Sequence, residues 1–304
     1  MIIVKLAGGL GNQLFQYASG RALSLKFNTQ LKLDIRFFEQ PKYRKDFRLA
    51  KFNLPFQIAE ESEYKKLCNL PGNKMIRRLK RMGIKFPPYY RNTHLIEDDI
   101  IKLVENKSSV LPSDFYIEGW LANEKYFKNY RQVLIDELNM DHAMSAENLN
   151  LREGIKSANA VSVHVRRGDY LTNSYFSNLT RDYYQQAFRW VYENINKPVF
   201  YFFSDDIDWV KKEYAFVDEA IFVQGNSLRE GTFATHSAID DLMLMRSCKH
   251  NIIANSTFSW WAAWLNTYAE KKVLFPARWF NDAKAQHKFE TGNYNPATWI
   301  KINC

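Results

Sequence analysis

Two adjacent arginines follow an apolar run in the stretch AVSVHVRRGDY at residues 160–170. The run is β-branched and lacks proline and glycine, which predicts a strand buried on both faces. Arg166, Arg167 and Asp169 then fall in a turn at Gly168. Ligands of open α/β sheets lie outside the carboxyl ends of the strands, and the planar fork of arginine matches phosphate oxygens. The stretch therefore predicts an anion site, with an ion pair between either arginine and Asp169 as the structural alternative.

A second polar turn, at Ser256 and Thr257, lies between a predicted strand at residues 251–254 and a predicted helix at 258–268. Both residue types cap helices, and the backbone amides at a helix start attract anions with the help of the helix dipole. A phosphate is therefore expected here. Three tryptophans of this helix recur at helical spacing, and core packing explains them more simply than stacking on a sugar: Trp260, Trp261 and Trp264.

A glycine turn with Gly9 and Gly11 separates the first predicted strand from the first predicted helix, which Asn12 is expected to cap. The next strand ends in Asp34, so this region is similar to a dinucleotide-binding fingerprint, although Leu14 occupies its third glycine position. One interpretation is an NAD-dependent oxidoreductase. The other is a turn that serves backbone geometry alone.

Two carboxylates, Asp206 and Asp208, have the D-x-D spacing with which some enzymes hold a divalent cation. Ile207 and Trp209 indicate instead that a helix begins here, where aspartates stabilise the free amides. We interpret the pair as helix-start residues and expect no metal. The three cysteines are far apart and form neither a disulfide framework nor a zinc motif.

The chain has 304 residues, enough for two hydrophobic cores, and a formal net charge of +9. That charge favours an anionic partner such as a nucleotide, a nucleic acid or a membrane surface. No apolar run approaches a membrane span and no signal peptide precedes the first strand, so we expect a cytoplasmic protein. Basic residues between Lys74 and Lys85 flank an apolar face, which fits a helix on an anionic membrane or a solvated surface helix.

Strands and helices alternate in the second half of the chain, which predicts a parallel sheet of the α/β class with right-handed crossovers. The loops HVRRGDY, FSDD, QGN and ANSTFS would then open on one edge of that sheet. Residues 37–112 lack this pattern, and a helix is predicted at residues 123–138. The polar stretch 139–156 marks a boundary between predicted domains at 1–150 and 151–304.

The chain resembles the short bacterial α-1,2-fucosyltransferases of glycosyltransferase family 11. The resemblance rests on four segments in order: GGLGNQLFQYASGRAL at residues 8–23, HVRRGDY at 164–170, FSDDIDW at 203–209, and the run from 236 to 266. It implies a GT-B fold, in which two Rossmann-like domains face each other across a cleft. The N-terminal domain, with an irregular basic insertion at about 37–112, is then the acceptor side, and the C-terminal domain binds GDP-fucose.

The same resemblance implies an inverting transfer of L-fucose from GDP-β-L-fucose to the 2-hydroxyl of a terminal galactoside. Neither a metal nor another cofactor is expected. Arg166 would be the catalytic contact to the diphosphate, and His164 would hold the guanosine end. The other donor-binding residues would be Ser204, Asp205, Asn255, Ser256, Thr257, Phe258 and Ser259.

On the acceptor side, the resemblance implies that the glycine turn faces the cleft through Gly9, Gly11, Asn12 and Gln13. The general base stays unassigned, because three carboxylates are candidates by chemistry alone. They are Asp34, Asp169 and Asp205.

The expected partners are GDP-fucose and a galactose-terminated oligosaccharide or lipid-linked glycan, and no nucleic acid. Peripheral association with the inner face of the bacterial cytoplasmic membrane follows if the basic segment binds lipid. Two alternatives to the transferase are kept: the NAD-dependent oxidoreductase, and a non-catalytic module that binds a nucleotide or a glycan.

Overall fold

A computed structural model describes residues 1–43, 47–67, 93–105, 114–140, 144–224 and 237–303. The chain divides into two compact units, Met1–Leu138 and Asn139–Cys304. The division lies ahead of the boundary placed at residue 150, because helix α6, Ala146–Ser157, packs against elements of the second unit. The basic segment from Lys74 to Lys85 lies outside the described residues.

The first unit contains a parallel sheet with the strand order β3-β2-β1-β5-β4. Strand β1 is central, with β2 on one side and β5 on the other. The strands are β1 Ile2–Lys5, β2 Leu31–Asp34, β3 Gln57–Ile58, β4 His94–Ile96 and β5 Phe115–Glu118.

Five α-helices are described in this unit: α1 Leu10–Lys26, α2 Arg36–Glu39, α3 Glu61–Leu67, α4 Glu97–Glu105 and α5 Arg131–Glu137. Helix α1 begins earlier than predicted, and Gly9 is its N-cap, so the capping role expected for Asn12 is wrong. The helix predicted at 123–138 is also wrong over its first half. Two 3-10 turns, Glu124–Tyr126 and Lys128–Tyr130, precede α5, because the extended φ of Phe127 interrupts the helix.

The second unit contains a six-stranded parallel sheet with the order β11-β10-β9-β6-β7-β8, which confirms the predicted α/β class. Its strands are β6 Asn159–Val165, β7 Pro198–Ser204, β8 Ala220–Phe222, β9 His250–Ile252, β10 Val273–Pro276 and β11 Ile300–Ile302. Its described helices after α6 are α7 Arg181–Asn194, α8 Ile207–Glu213, α9 Ser237–Ser247, α10 Thr257–Leu265 and α11 Ala283–Thr291. Helix α11 and strand β11 were not predicted from the sequence.

Strand β6 is buried on both faces, as predicted. Val161, Val163 and Val165 belong to the apolar core that α7 covers. The alternate residues lie on the opposite face, where the Ser162 hydroxyl accepts a hydrogen bond of 2.7 Å from the side chain of Asn251 on β9. The periodicity of two therefore aims His164 away from the valine core.

Helix α10 is held at both ends. Ser256 is its N-cap, and the Lys271 ammonium donates to the carbonyls of Ala263 at 2.6 Å and Asn266 at 2.8 Å near its C-terminus. A cation at this end also opposes the negative pole of the helix dipole. Lys271 therefore fixes the helix from the end opposite the predicted phosphate turn.

In the described parts of the chain, no helix is long and apolar enough to cross a membrane.

We expect Lys271→Met to lower the free energy of unfolding by about 1–2 kcal/mol, because the substitution removes a charged donor and leaves terminal carbonyls unpaired. Urea denaturation followed by circular dichroism measures the change. Lys272→Met is the matched control, since that lysine is exposed, and its effect should stay within about 0.5 kcal/mol. Equal effects of the two substitutions would contradict the capping role of Lys271.

Candidate active site

The site lies at the carboxyl edge of the second unit's sheet, where β6 and β9 are neighbours. Chain order runs from β6 through β7 to β8 on one side and from β9 through β10 to β11 on the other. Such a reversal is the place where open α/β sheets bind ligands. The loops after β6 and β9 touch here, because the Tyr170 hydroxyl donates to the carbonyl of Asn255 at 2.9 Å.

Asp205, in the loop after β7, joins that loop to the arginine turn. Its Oδ2 atom lies 2.8 Å from Nη1 of Arg166, and its Oδ1 atom accepts the backbone amide of Arg167 at 2.9 Å. The carboxylate thus fixes a side chain and the backbone of the next residue together. A Cβ on Gly168 would lie 2.4 Å from Asp205 Oδ2, so this turn accommodates the carboxylate only because residue 168 is glycine.

The second arginine, Arg167, is held by contacts with other side chains of the protein. Its Nε atom lies 3.0 Å from Asp206 Oδ2, and its guanidinium lies 3.5 Å from the ring centroid of Trp209. Arg167 is therefore packed between a carboxylate and an indole, and one third of the Arg166 side chain stays exposed. The arginine to which the family resemblance assigns the diphosphate contact is the more accessible of the two.

Asp206 caps α8, since its Oδ1 atom accepts the amide of Trp209 at 3.3 Å. Asp208 falls in the first turn of the same helix. The helix-start interpretation of the D-x-D segment is thus confirmed. Within the part of the chain that the structure describes, no three His, Cys, Asp or Glu side chains are grouped as ligands for a metal.

His164 is buried at 4% exposure, and its Nδ1 atom has no hydrogen-bond partner among the described residues. Its ring lies 5.6 Å from that of Phe258, between centroids. Burial, with the nearby charge of Arg166, lowers the pKa of His164 to about 3. The imidazole is therefore neutral at physiological pH, and an unpaired buried nitrogen beside an arginine is a group that a ligand can satisfy.

The helix start at α10 has the predicted N-cap, with the Ser256 hydroxyl accepting from the amide of Phe258 at 3.3 Å. Thr257 and Phe258 are half-buried. The amides of Thr257 and Ser259 make no backbone hydrogen bond within the described residues, so they are the available donors at this end. The three tryptophans of α10 are fully buried, which confirms their predicted role in the core.

Three of the expected donor-binding side chains are engaged within the protein. The Asn255 amide donates to the carbonyls of Ser177 at 2.7 Å and Trp279 at 2.9 Å. The Ser259 hydroxyl donates to backbone carbonyls of the same turn, and the Ser204 hydroxyl accepts the amide of Asp206. These side chains hold the loops in place, so a ligand meets the loops chiefly through backbone groups.

In the first unit, Gln13 is a link between loops. Its Oε1 atom accepts the backbone amides of Arg48 at 3.0 Å and Leu49 at 3.3 Å, and its Nε2 atom donates to the carbonyl of Gly8 at 2.9 Å. Asn12 is half-buried beside the turn, Gly11 is buried within α1, and Gly9 is its N-cap.

Sequence reasoning missed Gln16, which joins two loops of the same edge. Its Oε1 atom accepts the amide of Ala7 at 2.9 Å, and its Nε2 atom donates to the carbonyl of Gly119 at 3.1 Å. The available signal was a glutamine among the apolar residues of α1. A long polar side chain on a buried helix face must find partners in neighbouring loops.

The carboxylate of Asp34, at the end of β2, accepts hydrogen bonds at both of its oxygens. Arg36 contacts both carboxylate oxygens, and the Tyr116 hydroxyl donates to Oδ2 at 2.6 Å. Although burial raises the pKa of Asp34, hydrogen bonds from Arg36 and Tyr116 outweigh it and hold the pKa below its usual value. This carboxylate is therefore a poor base and is not free to bind a ribose, which removes the support for the oxidoreductase.

Residues 1–303 match the family described as Glycosyl transferase family 11. An alpha-1,2-colitosyltransferase of Escherichia coli is 33% identical over 310 residues, which cover 99% of each chain. The galactoside 2-alpha-L-fucosyltransferase SEC1 of Bos taurus is 25% identical over 172 residues, 53% of this chain and 45% of that protein.

The fold is similar to that of the fucosyltransferase NodZ from Bradyrhizobium, with a TM-score of 0.53 at 15% identity over 86% of this chain and 91% of the other. Crystals of NodZ, an alpha-1,6-fucosyltransferase, have also been soaked with GDP-fucose. Both units of our chain have the Rossmann-like parallel sheets expected of a GT-B protein. Because the family match spans almost the whole sequence, the chain belongs to glycosyl transferase family 11 and is a glycosyltransferase.

Proposed function

We propose that this enzyme transfers L-fucose from GDP-β-L-fucose, with inversion, to the 2-hydroxyl of a terminal galactoside. One observation carries the proposal. Arg166, which Asp205 fixes, lies where the strand order of the second sheet reverses between β6 and β9, and α10 begins at the same edge of that sheet. The names of the relatives, which specify α-1,2 linkage and in one case a galactoside acceptor, support the linkage and the acceptor.

The chemistry fits these groups. As the bond between the anomeric carbon and the diphosphate oxygen breaks, negative charge collects on the leaving GDP. Arg166 and the amides of Thr257 and Ser259 supply positive charge and donors, and the neutral His164 supplies a further polar contact. The acceptor oxygen bonds to the anomeric carbon from the opposite face, and its proton passes to a base that we do not assign. Asp205, engaged by two partners, serves to position Arg166.

A second donor is favoured by one specific observation, the 33% identity to an alpha-1,2-colitosyltransferase. Colitose is L-fucose without its 3-hydroxyl, so GDP-colitose presents the same diphosphate and guanosine. The groups at the switch point suit either donor, and discrimination would depend on contacts to one hydroxyl.

The two units would bind different substrates. In this proposal residues 151–304 bind the donor and residues 1–150 bind the acceptor. The acceptor is a galactose-terminated oligosaccharide or a lipid-linked glycan. Membrane association belongs with the lipid-linked case, and flotation with anionic liposomes at low and high salt tests it.

The direct test is to incubate the protein with GDP-fucose or GDP-colitose and a panel of terminal β-galactosides, and to determine the product linkage by nuclear magnetic resonance. We expect an α-1,2-linked fucoside. Higher kcat/KM with GDP-colitose would assign the second donor. Transfer to another hydroxyl, or no transfer from either donor, would contradict the proposal.

Arg166→Lys should lower kcat by on the order of 10²-fold, because an ammonium keeps the charge but loses the bidentate fork. Thermal unfolding should be little changed, which separates the effect from misfolding. Arg189→Lys on the exposed face of α7 is the matched control and should retain full activity. Near-normal turnover of Arg166→Lys would show that Arg166 does not bind the diphosphate.

We expect transfer to survive an excess of EDTA, with a rate within about twofold of the untreated enzyme, because Arg166 supplies the charge that a bound cation would otherwise supply. Asp208→Asn should change stability by less than about 1 kcal/mol, as expected for a helix-start residue. Loss of activity with EDTA and recovery with Mn²⁺ would instead place a metal at Asp206 and Asp208.

A further inference from the structure

Trp120 is the one exposed tryptophan of the eight in the chain. Its exposure is 56%, whereas the other seven are buried or half-buried. It also exceeds every other large hydrophobic side chain among the described residues in exposure. An indole left in water forgoes the gain from burial, which a ligand that covers the ring would recover.

The position of Trp120 is that of a binding residue. One residue, Gly119, separates it from the carboxyl end of β5, and β5 lies beside the central strand β1. Ligands of open α/β sheets bind outside the carboxyl ends of the strands. Gln16 joins the loops after these two strands, through Ala7 and Gly119, so the backbone beside Trp120 is fixed.

The next residue adds to this rigidity. Leu121 has a φ of 54°, in the left-handed region that leucine rarely adopts, and its side chain is completely buried. Its carbonyl accepts the amide of Asn123 at 2.8 Å. Strained residues held by their surroundings cluster at binding sites. The buried leucine anchors the turn while the adjacent indole stays in solvent.

Asn12 and Trp120 flank the glycine turn. A Cβ on Gly8 would lie 2.6 Å from the Asn12 Nδ2 atom and 3.1 Å from Cζ3 of Trp120, and the φ of Gly8 is +80°. The Asn12 amide and the edge of the indole therefore both border the space that a side chain at residue 8 would occupy. An aromatic surface with a neighbouring amide is the usual composition of a site for a sugar ring, whose C–H face is apolar and whose hydroxyls need hydrogen bonds.

The surroundings favour a neutral ring over an anionic ligand. The groups around the indole, from Gly8, Asn12, Gln16 and Gly119, carry no charge. The charged residues at the ends of β1 and β5 pair with each other, with Lys5 Nζ 2.5 Å from Glu118 Oε1. A nucleoside diphosphate would find no cation among these groups, whereas a galactoside needs none.

We propose that Trp120 binds the terminal galactose of the acceptor by stacking against its C–H face, with the Asn12 amide contacting a hydroxyl of the same ring. This assignment rests on the proposed function, because it takes a galactoside to be the acceptor. It adds a residue of the N-terminal unit that determines acceptor affinity.

The kinetic test compares Trp120→Ala and Trp120→Phe with the wild-type enzyme. Loss of one stacked ring should raise the KM for lactose about tenfold in Trp120→Ala, while the phenylalanine variant should stay within about threefold. The KM for GDP-fucose and its slow hydrolysis without acceptor should not change. Tyr192→Ala, which removes an exposed ring from the second unit, is the matched control and should leave the lactose KM unchanged.

A binding test needs no turnover. Methyl β-D-galactoside, added with saturating GDP, should reduce acrylamide quenching of the wild-type tryptophan fluorescence, and Trp120→Phe should abolish this protection. Protection without any sugar transfer by the wild-type enzyme would sustain the galactose site and refute the proposed function. Transfer to lactose with no protection, or an unchanged lactose KM in a folded Trp120→Ala variant, would overturn the assignment and leave the proposed function intact.

Discussion

The carboxylate of Asp205 is the contact on which the arginine turn of the second unit depends. One oxygen holds the guanidinium of Arg166 and the other holds the amide of Arg167, so a single side chain from the β7 loop sets both the charge and the path of the β6 loop. An arginine in water would lose rotamer freedom on meeting a phosphate. In this protein Asp205 restricts the Arg166 side chain before any ligand binds, so the loss of rotamer freedom has already occurred in the folded protein. This is the advantage of a preorganised site.

The alternation of strands and helices in the second unit was predictable because each strand is a β-branched or aromatic run and each helix has an apolar face. Helix starts were predictable where the cap is local, as at Ser256 and Asp206. The prediction failed at Asn12, because Gly9, three positions earlier, is already the N-cap of the helix. It also failed at Phe127, whose backbone conformation breaks a segment that helical periodicity alone makes continuous.

The positions of the site side chains were also only partly predictable from the sequence. The family resemblance implies that Asn255 and Thr257 both bind the donor, but the direction of a loop side chain is set by tertiary contacts. The amide of Asn255 turns inward to two carbonyls, whereas Thr257 lies half-buried at the helix start. Gln16 and Trp120 escaped prediction for a related reason, since only the sheet order brings the loops after β1 and β5 together.

Helix α10 is built almost entirely from core residues. Its three indoles lie against one another, and that of Trp260 also lies against Trp299. Such packing leaves no room for changes in side-chain volume, so the backbone at the first turn of α10 is as rigid as the protein interior. A surface indole such as Trp120 has no comparable neighbours to satisfy. If the first unit's sheet edge binds the acceptor as proposed, substitutions that alter the choice of acceptor can accumulate there over evolutionary time at small cost to folding, while the residues beneath α10 are free to change only together.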